Sequence, residues 1–152
     1  MLYEKVFFNE KDGTQMIGGG RKLTWIMKSA NDDSRYTSVC IVEIEPSLRV
    51  KPAHSHPGAE EVVYIVSGTG KALIGEQINP IQPGSLVYFP EGVPHMLWNN
   101  GKELLKGICF YASTGKEIIY EYHDDIDFPE YRRVCSNFAS LLQSSWSYRQ
   151  QL

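Results

Sequence analysis

The sequence predicts an all-β fold, a sandwich or barrel built from short antiparallel strands. Short apolar runs rich in Val, Ile, Tyr and Phe recur along the middle of the chain, and these residues suit a pleated, half-buried surface. Gly and Pro separate the runs, and seven of the eight prolines fall between Pro46 and Pro94. Short apolar runs bounded by such residues are typical of strands rather than helices. Many short strands joined by Gly/Pro turns indicate a sandwich or a barrel.

The predicted strands belong to one structural domain, which divides into an N-terminal extension, a barrel core and a C-terminal tail. The N-terminal extension, residues 1–36, carries one strand at 23–27, after the flexible Gly18-Gly19-Gly20. The barrel core, residues 37–122, holds the remaining predicted strands, at 39–44, 61–66, 71–74, 86–89 and 104–111.

Two Gly-containing segments of the core predict tight turns. Ser67-Gly68-Thr69-Gly70 separates two apolar runs and predicts a hairpin. Asn100-Gly101 is the dipeptide that type I′ hairpin turns prefer, because both central residues need positive φ.

In the C-terminal tail, residues 123–152, the spacing of apolar residues changes from that of a strand to that of a helix. From Pro129 onward, apolar residues recur at helical spacing, at Val134, Phe138, Leu141, Leu142 and Trp146. Pro129 suits the first turn of a helix and Asp127 lies near the N-cap position. We predict one amphipathic helix that packs on the barrel or against a partner subunit. The segment before it, Glu121-Tyr122-His123-Asp124-Asp125, is interpreted as a solvated loop that could close over a barrel mouth.

Composition excludes several classes of protein. Hydrophobic residues make up 42% and charged residues 22% of the chain, as in soluble globular domains, and the net charge is −3. Without a basic run, neither a nucleic-acid nor a polybasic membrane partner is expected. No apolar stretch approaches the roughly 20 residues of a membrane span, and no signal peptide is visible. Cys40, Cys109 and Cys135 form no CxxC pair and are expected to be free thiols in a reducing cytoplasm.

Three of the four histidines suggest a metal site. His54 and His56 are two residues apart, so an extended segment would point both imidazoles to the same face. Glu61 opens the next strand after a tight connection, and its carboxylate could return to the same place. His95 would have to arrive from a distant strand, a step that the residues alone leave open.

The spacing of these residues resembles the two motifs of the cupin superfamily. The stretch His54-x-His56-x4-Glu61-x6-Gly68 matches the first motif. The stretch Gly84-x5-Pro90-x-Gly92-x2-His95-x3-Asn99 matches the second at every fixed position. Leu48 stands where a glycine usually opens the first motif, a departure that affects a turn rather than a ligand.

The resemblance implies a double-stranded jelly-roll β-barrel and one divalent transition metal held by His54, His56, Glu61 and His95. Three neutral imidazoles and one carboxylate suit Fe, Mn, Ni, Co, Cu or Zn. They leave positive charge on the ion, which can attract an anionic or oxygen-rich substrate. The competing interpretation is an ordinary buried polar cluster.

Strand parity suggests which neighbours line the interior. If Glu61 is the ligand, Glu60 faces away from the metal, while Val63 and Ile65 share the face of Glu61. Candidates for the substrate pocket are Trp25, Arg49, Lys51, Tyr88, Leu97 and Phe110. An Arg or Lys at the barrel mouth would suit a carboxylate substrate, although solvated surface charges are the simpler alternative.

The resemblance implies a small cytoplasmic metalloenzyme that acts on a small polar or anionic molecule. The fold does not choose the reaction, and family frequency alone favours a dioxygenase. The alternatives are an isomerase or lyase acting on a sugar or a carboxylic acid, and a barrel that binds a small molecule without turnover. Because cupins commonly pair through their sheets, we also expect a homodimer.

Overall fold

The structure is a computed structural model that describes residues 5–32, 34–113 and 117–131. After a short 3₁₀ helix at Glu10–Asp12, the described residues form strands only, up to a helical segment at 129–131. The strands are β1 Thr14–Gly18, β2 Arg21–Met27, β3 Thr37–Ile44, β4 Ala53–Ser55, β5 Ala59–Ser67, β6 Gly70–Ile74, β7 Gln77–Ile81, β8 Leu86–Phe89, β9 His95–Trp98, β10 Leu105–Ser113 and β11 Glu121–His123.

The strands form two antiparallel sheets. The order in the six-stranded sheet is β1-β2-β3-β10-β5-β8, and in the five-stranded sheet it is β11-β4-β9-β6-β7. The chain passes repeatedly from one sheet to the other, which is the topology of a double-stranded jelly roll. The predicted fold class is therefore confirmed.

Both predicted hairpins are wrong, because these turns cross from one sheet to the other. β5 and β6, on either side of the turn at Gly68, belong to different sheets, and so do β9 and β10 around Asn100-Gly101. Gly68 has a φ of +79°, and a Cβ there would lie 2.5 Å from the carbonyl oxygen of Leu104. Glycine therefore lets the chain turn tightly against another segment, but its presence does not say which sheet the next strand joins.

Five strands lie outside the predicted ranges: the edge strands β1, β7 and β11, and the short strands β4 and β9, which carry His54 and His95. β1 is exposed along its whole length, and β7 is exposed except at Ile81. β7 also contains Pro80, which an edge strand tolerates. β11 pairs with β4, so the predicted loop at 121–125 begins as a strand. Edge strands lack the apolar alternation on which the prediction relied.

Alternating side chains of the inner strands fill the space between the sheets. Along β5, Glu61, Val63 and Ile65 are buried while Glu60 and Tyr64 are exposed, as strand parity predicted. Cys40 and Cys109 are buried free thiols that face each other across β3 and β10. The interior is thus mainly apolar, and Glu61 is the charged side chain of β5 that it contains.

The C-terminal part of the described chain packs outside the five-stranded sheet. Phe128 is fully buried, with its ring 5.3 Å from that of Trp98 on β9. The amphipathic helix predicted from Pro129, and Cys135 within it, fall almost entirely on residues 132–152, outside the described residues. No helix in the described ranges is long and apolar enough to cross a membrane.

Candidate metal centre

The four residues singled out by the sequence come together between the two sheets. His54 lies on β4, His56 follows that strand directly, and His95 opens β9, where it is the cross-strand partner of His54. Glu61 comes from the opposite sheet, on β5. One ligand atom from each residue lies within 4.8 Å of the other three, and all four side chains are buried.

The imidazoles of His56 and His95 are held in one orientation by the backbone. Nδ1 of His56 lies 2.9 Å from the carbonyl oxygen of Ile119, and Nδ1 of His95 lies 2.8 Å from that of Val93. Because a carbonyl only accepts hydrogen bonds, each Nδ1 carries the proton. Each Nε2 is therefore a lone-pair donor directed at the centre. The ring of Phe89 also stacks on His95, with centroids 4.1 Å apart.

Several buried nitrogens of the cluster have no hydrogen-bond partner. They are Nδ1 of His54 and Nε2 of both His56 and His95. The two Nε2 atoms each lie 3.2 Å from Oε2 of Glu61, without the geometry of a hydrogen bond. Leaving a buried polar atom unpaired costs roughly 1–3 kcal/mol of folding free energy. We therefore expect these nitrogens to bind a further partner at the centre of the cluster.

The electrostatics keep the donors in the states that a cation requires. Burial opposes ionisation of Glu61, but positive charge on the rings of His56 and His95 outweighs burial and lowers the pKa of that carboxyl. With both rings neutral, a bound cation would supply that positive charge instead. Burial and then the positive charge of Arg21 lower the pKa of His54 to about 2, so its imidazole is neutral. A carboxylate and neutral imidazoles are the forms that ligate transition metals.

A family model described as a cupin domain matches residues 40–111, from β3 to β10. Residues 40–111 are thus identified as a cupin domain, which makes up just under half of the chain. Germin-like protein subfamily 3 member 1 of Arabidopsis thaliana is 31% identical over 77 residues, which cover 46% of this chain and 37% of that protein. The chain thus matches little more than a third of that protein's own length.

Solved structures agree with the fold. A predicted oxalate decarboxylase from Thermotoga maritima has a TM-score of 0.63 and 17% identity, covering 71% of this chain and 99% of that one. The Streptomyces protein PAC13 with uridine has a TM-score of 0.67 and 15% identity, covering 81% and 94%. At such low identity, these likenesses support the cupin fold alone.

The predicted pocket residues separate into two groups. Leu97 is buried and lines the small cavity beside the cluster, and Trp25 is buried in the wall of a larger pocket outside it. Tyr88 and Phe110 point away from the barrel interior and are 48% and 42% exposed, so placing them in the pocket was wrong. Both lie at outward-facing positions of their alternating strands.

The cations predicted for the mouth are bound elsewhere. Arg49 donates two hydrogen bonds to Asp127, at 2.8 and 2.7 Å, and its guanidinium stacks 3.6 Å from the Tyr131 ring centroid. It does not line the cavity beside the cluster. Lys51 contacts Asp127 at 2.7 Å and lines only an outer hollow. The prediction did not foresee that a distant carboxylate would pair with both.

Sequence reasoning missed three residues next to the cluster. Arg21 and Cys109 line the small cavity, and the ring of Tyr120 lies 5.3 Å from that of His54 and 4.5 Å from that of His56. Arg21 precedes Trp25 by four residues on β2, so strand parity could have placed it on the same face. Tyr120 lies in a segment without an apolar pattern, and nothing in the sequence signalled its position.

Asp127 should stabilise the fold in a pH-dependent way. Burial would raise its pKa, but hydrogen bonds from Arg49, Lys51 and the Phe128 amide outweigh burial and lower it. We expect Asp127→Asn to reduce the free energy of unfolding by about 1–3 kcal/mol at pH 7. A carboxyl whose folded pKa is depressed stabilises above its unfolded pKa and loses that contribution as pH falls through the folded value. The difference from wild type should therefore shrink below about pH 4.

Urea denaturation at pH 7 and pH 3 measures this difference. Asp125→Asn is the matched control, since Asp125 is exposed and two residues away. Any destabilisation of the metal cluster by acid is common to all three proteins and cancels in the comparison. A deficit of Asp127→Asn that stayed constant from pH 7 to pH 3 would contradict the ion-pair explanation.

Proposed function

We propose that this protein is a metal-dependent enzyme that acts on a small anionic molecule. The observation that carries the proposal is the cluster itself: three buried histidines with unpartnered nitrogens and one ionised carboxylate, all within 4.8 Å. A structural polar cluster would be expected to satisfy its own hydrogen bonds. In this cluster, His56 and His95 hold their Nδ1 protons on backbone carbonyls and direct their Nε2 lone pairs at the centre.

A divalent ion would be held by His54, His56, Glu61 and His95. When bound, it would supply Lewis-acid polarisation and open positions for substrate oxygens. The protein supplies the rest of the environment. Ile119 and Val93 fix the imidazole rings, and the apolar interior around Phe89 and Met96 excludes bulk water.

Arg21 supports an anionic substrate. It lines the cavity beside the cluster, and among the described residues it forms no ion pair. Arg49 and Lys51, in contrast, are committed to Asp127. A guanidinium without a carboxylate partner near a cationic metal site favours a ligand with negatively charged oxygens. The Thermotoga structure described as a predicted oxalate decarboxylase supports a carboxylic acid as the substrate class.

The metal prediction is tested by elemental analysis of protein purified without chelator or polyhistidine tag. We expect about one equivalent of a divalent transition metal in the wild type. His56→Ala and Glu61→Gln each remove one ligand, and the bound metal should fall by at least about tenfold in both.

The chain offers a matched control for each of these variants. Glu60→Gln alters the exposed neighbour of Glu61, and His123→Gln alters the histidine outside the cluster, whose Nε2 lies 3.0 Å from the Ser55 hydroxyl. Both should keep the metal. Equal metal content in all four variants, or no metal in wild type after reconstitution, would refute the ligand set.

The anionic substrate is tested by turnover of a panel of small mono- and dicarboxylates, in air and without oxygen. We expect Arg21→Gln to weaken carboxylate binding by about 10- to 100-fold, because a charge-assisted hydrogen bond is lost, while metal content stays unchanged. Arg21→Lys should retain part of the affinity, and Arg35→Gln, at an exposed arginine, should retain all of it. Turnover only in air would indicate an oxygenase, and turnover in both conditions a decarboxylase, isomerase or lyase. Carboxylate affinity unaffected by Arg21→Gln would contradict the assignment.

We further propose a homodimer that pairs through the outer face of the six-stranded sheet. Cross-strand neighbours on β10, β5 and β8 place two apolar rows side by side there. Tyr64, Leu86, Tyr88 and Phe110 in these rows are 43%, 67%, 48% and 42% exposed. A contiguous apolar patch of this kind is typical of an interaction surface. It also accounts for the outward orientation of Tyr88 and Phe110.

Light scattering should find a dimer for the wild type and a monomer for Leu86→Lys. Burying an unpaired lysine charge in an apolar interface is unfavourable, so this substitution should weaken dimerisation strongly. Leu48→Lys, at an exposed leucine outside this sheet, should remain dimeric. A monomeric wild type would refute the dimer.

A further inference from the structure

The room beside the metal cluster is small, and a larger pocket adjoins it. The inner cavity measures about 20 Å³, which is enough for one water-sized group. The outer pocket measures about 410 Å³. Arg21 and Leu23 line both, so Arg21 lies at the junction. A substrate larger than a few atoms would therefore place its anionic group near Arg21 and the rest of its structure in the outer pocket.

The outer pocket is walled by aromatic rings. Trp25, Tyr120 and Tyr122 line it, and the two tyrosine rings lie 6.2 Å apart with an angle of 24° between their planes. Tyr120 also stacks on His54, with 27° between the planes, so the aromatic wall continues into the metal cluster. Stacked and offset aromatic contacts favour a flat, unsaturated ligand over a flexible aliphatic one.

The rim of the outer pocket carries positive charge beside its aromatic wall. The Lys28 ammonium lies 4.8 Å from the Trp25 ring centroid and adds positive charge at the rim.

A second hollow on the other side of Arg21 fits such a ligand less well. It measures about 430 Å³ and is lined by the β1–β2 turn, Lys51 and Pro52. The Lys51 ammonium is already paired with Asp127, and Tyr122 is the one aromatic side chain in its wall. It therefore lacks the aromatic walls of the outer pocket.

We propose that the substrate is an aromatic carboxylate, with its carboxylate at Arg21 and the cluster and its ring in the outer pocket between Trp25 and Tyr120. This inference rests on the proposed function, because it assigns the substrate class of the same metal centre. It excludes small aliphatic acids such as oxalate as the preferred ligand, since they would leave the outer pocket empty.

Calorimetric titration of the Mn²⁺-loaded protein compares phenylacetate with acetate. The two probes share a carboxylate and differ by a phenyl ring. We expect phenylacetate to bind about tenfold or more tightly, the gain typical of roughly six additional bound non-hydrogen atoms. Phenylacetamide, which keeps the ring and loses the charge, should bind more weakly than phenylacetate.

A pocket-filling variant separates the outer pocket from the metal centre. Ala30 is exposed and lines the outer pocket, away from the four ligands. Ala30→Phe should abolish the advantage of phenylacetate while leaving Mn²⁺ content and acetate affinity unchanged. Gln77→Phe adds the same ring to an exposed position on edge strand β7 and should change none of these values.

The outcomes distinguish the two proposals. Failure to take up Mn²⁺ would refute the metal-dependent function. Normal Mn²⁺ uptake with phenylacetate no tighter than acetate, or with binding of neither, would leave the metal site standing and refute the aromatic substrate. An advantage of phenylacetate that survived Ala30→Phe would place the ring elsewhere and also refute it.

Discussion

The candidate metal centre depends most on one buried contact between the two sheets. It joins the carboxylate of Glu61 to the imidazoles of His56 and His95. The carboxylate comes from the six-stranded sheet and the imidazoles from the five-stranded sheet, and each Nε2 lies 3.2 Å from Oε2. Removing an ionised carboxylate from water is costly unless it is paired and hydrogen-bonded. The apolar core of this protein therefore surrounds a charged centre that its own side chains satisfy only in part.

The surrounding residues keep that centre in place at some expense to stability. The Nδ1 atoms of His56 and His95 donate hydrogen bonds to the carbonyl oxygens of Ile119 and Val93. The ring of Phe89 also stacks on His95. The inner nitrogens consequently have no alternative partner. A core selected for stability alone would fill this volume with apolar side chains, whereas preorganised lone pairs are what a bound cation requires.

The sequence predicted the fold class and the composition of the cluster because both depend on local patterns. Apolar runs and turn residues mark the inner strands. The motif spacings of His54, His56, Glu61 and His95 carried the resemblance that implied the cluster. It could not predict the sheet crossings at Gly68 and Asn100-Gly101, since a turn residue records a local φ and not the identity of the next partner strand. Edge strands β1 and β7 escaped notice because solvent on both faces erases the alternation. Tyr120 was missed because its position is set by tertiary packing.

The two arginines of the barrel show why residue type alone did not locate the mouth. Arg49 and Arg21 carry the same charge, yet Asp127 binds Arg49 through two hydrogen bonds, while no described carboxylate pairs with Arg21. A guanidinium that already holds a buried carboxylate bidentately has little left to offer an incoming one. Arg21 instead lies where the inner cavity and the aromatic pocket meet, close enough to help lower the pKa of His54. Its charge would be costly beside a cationic metal unless an anion bridges the two, so a metal held by the cluster would favour a negatively charged ligand.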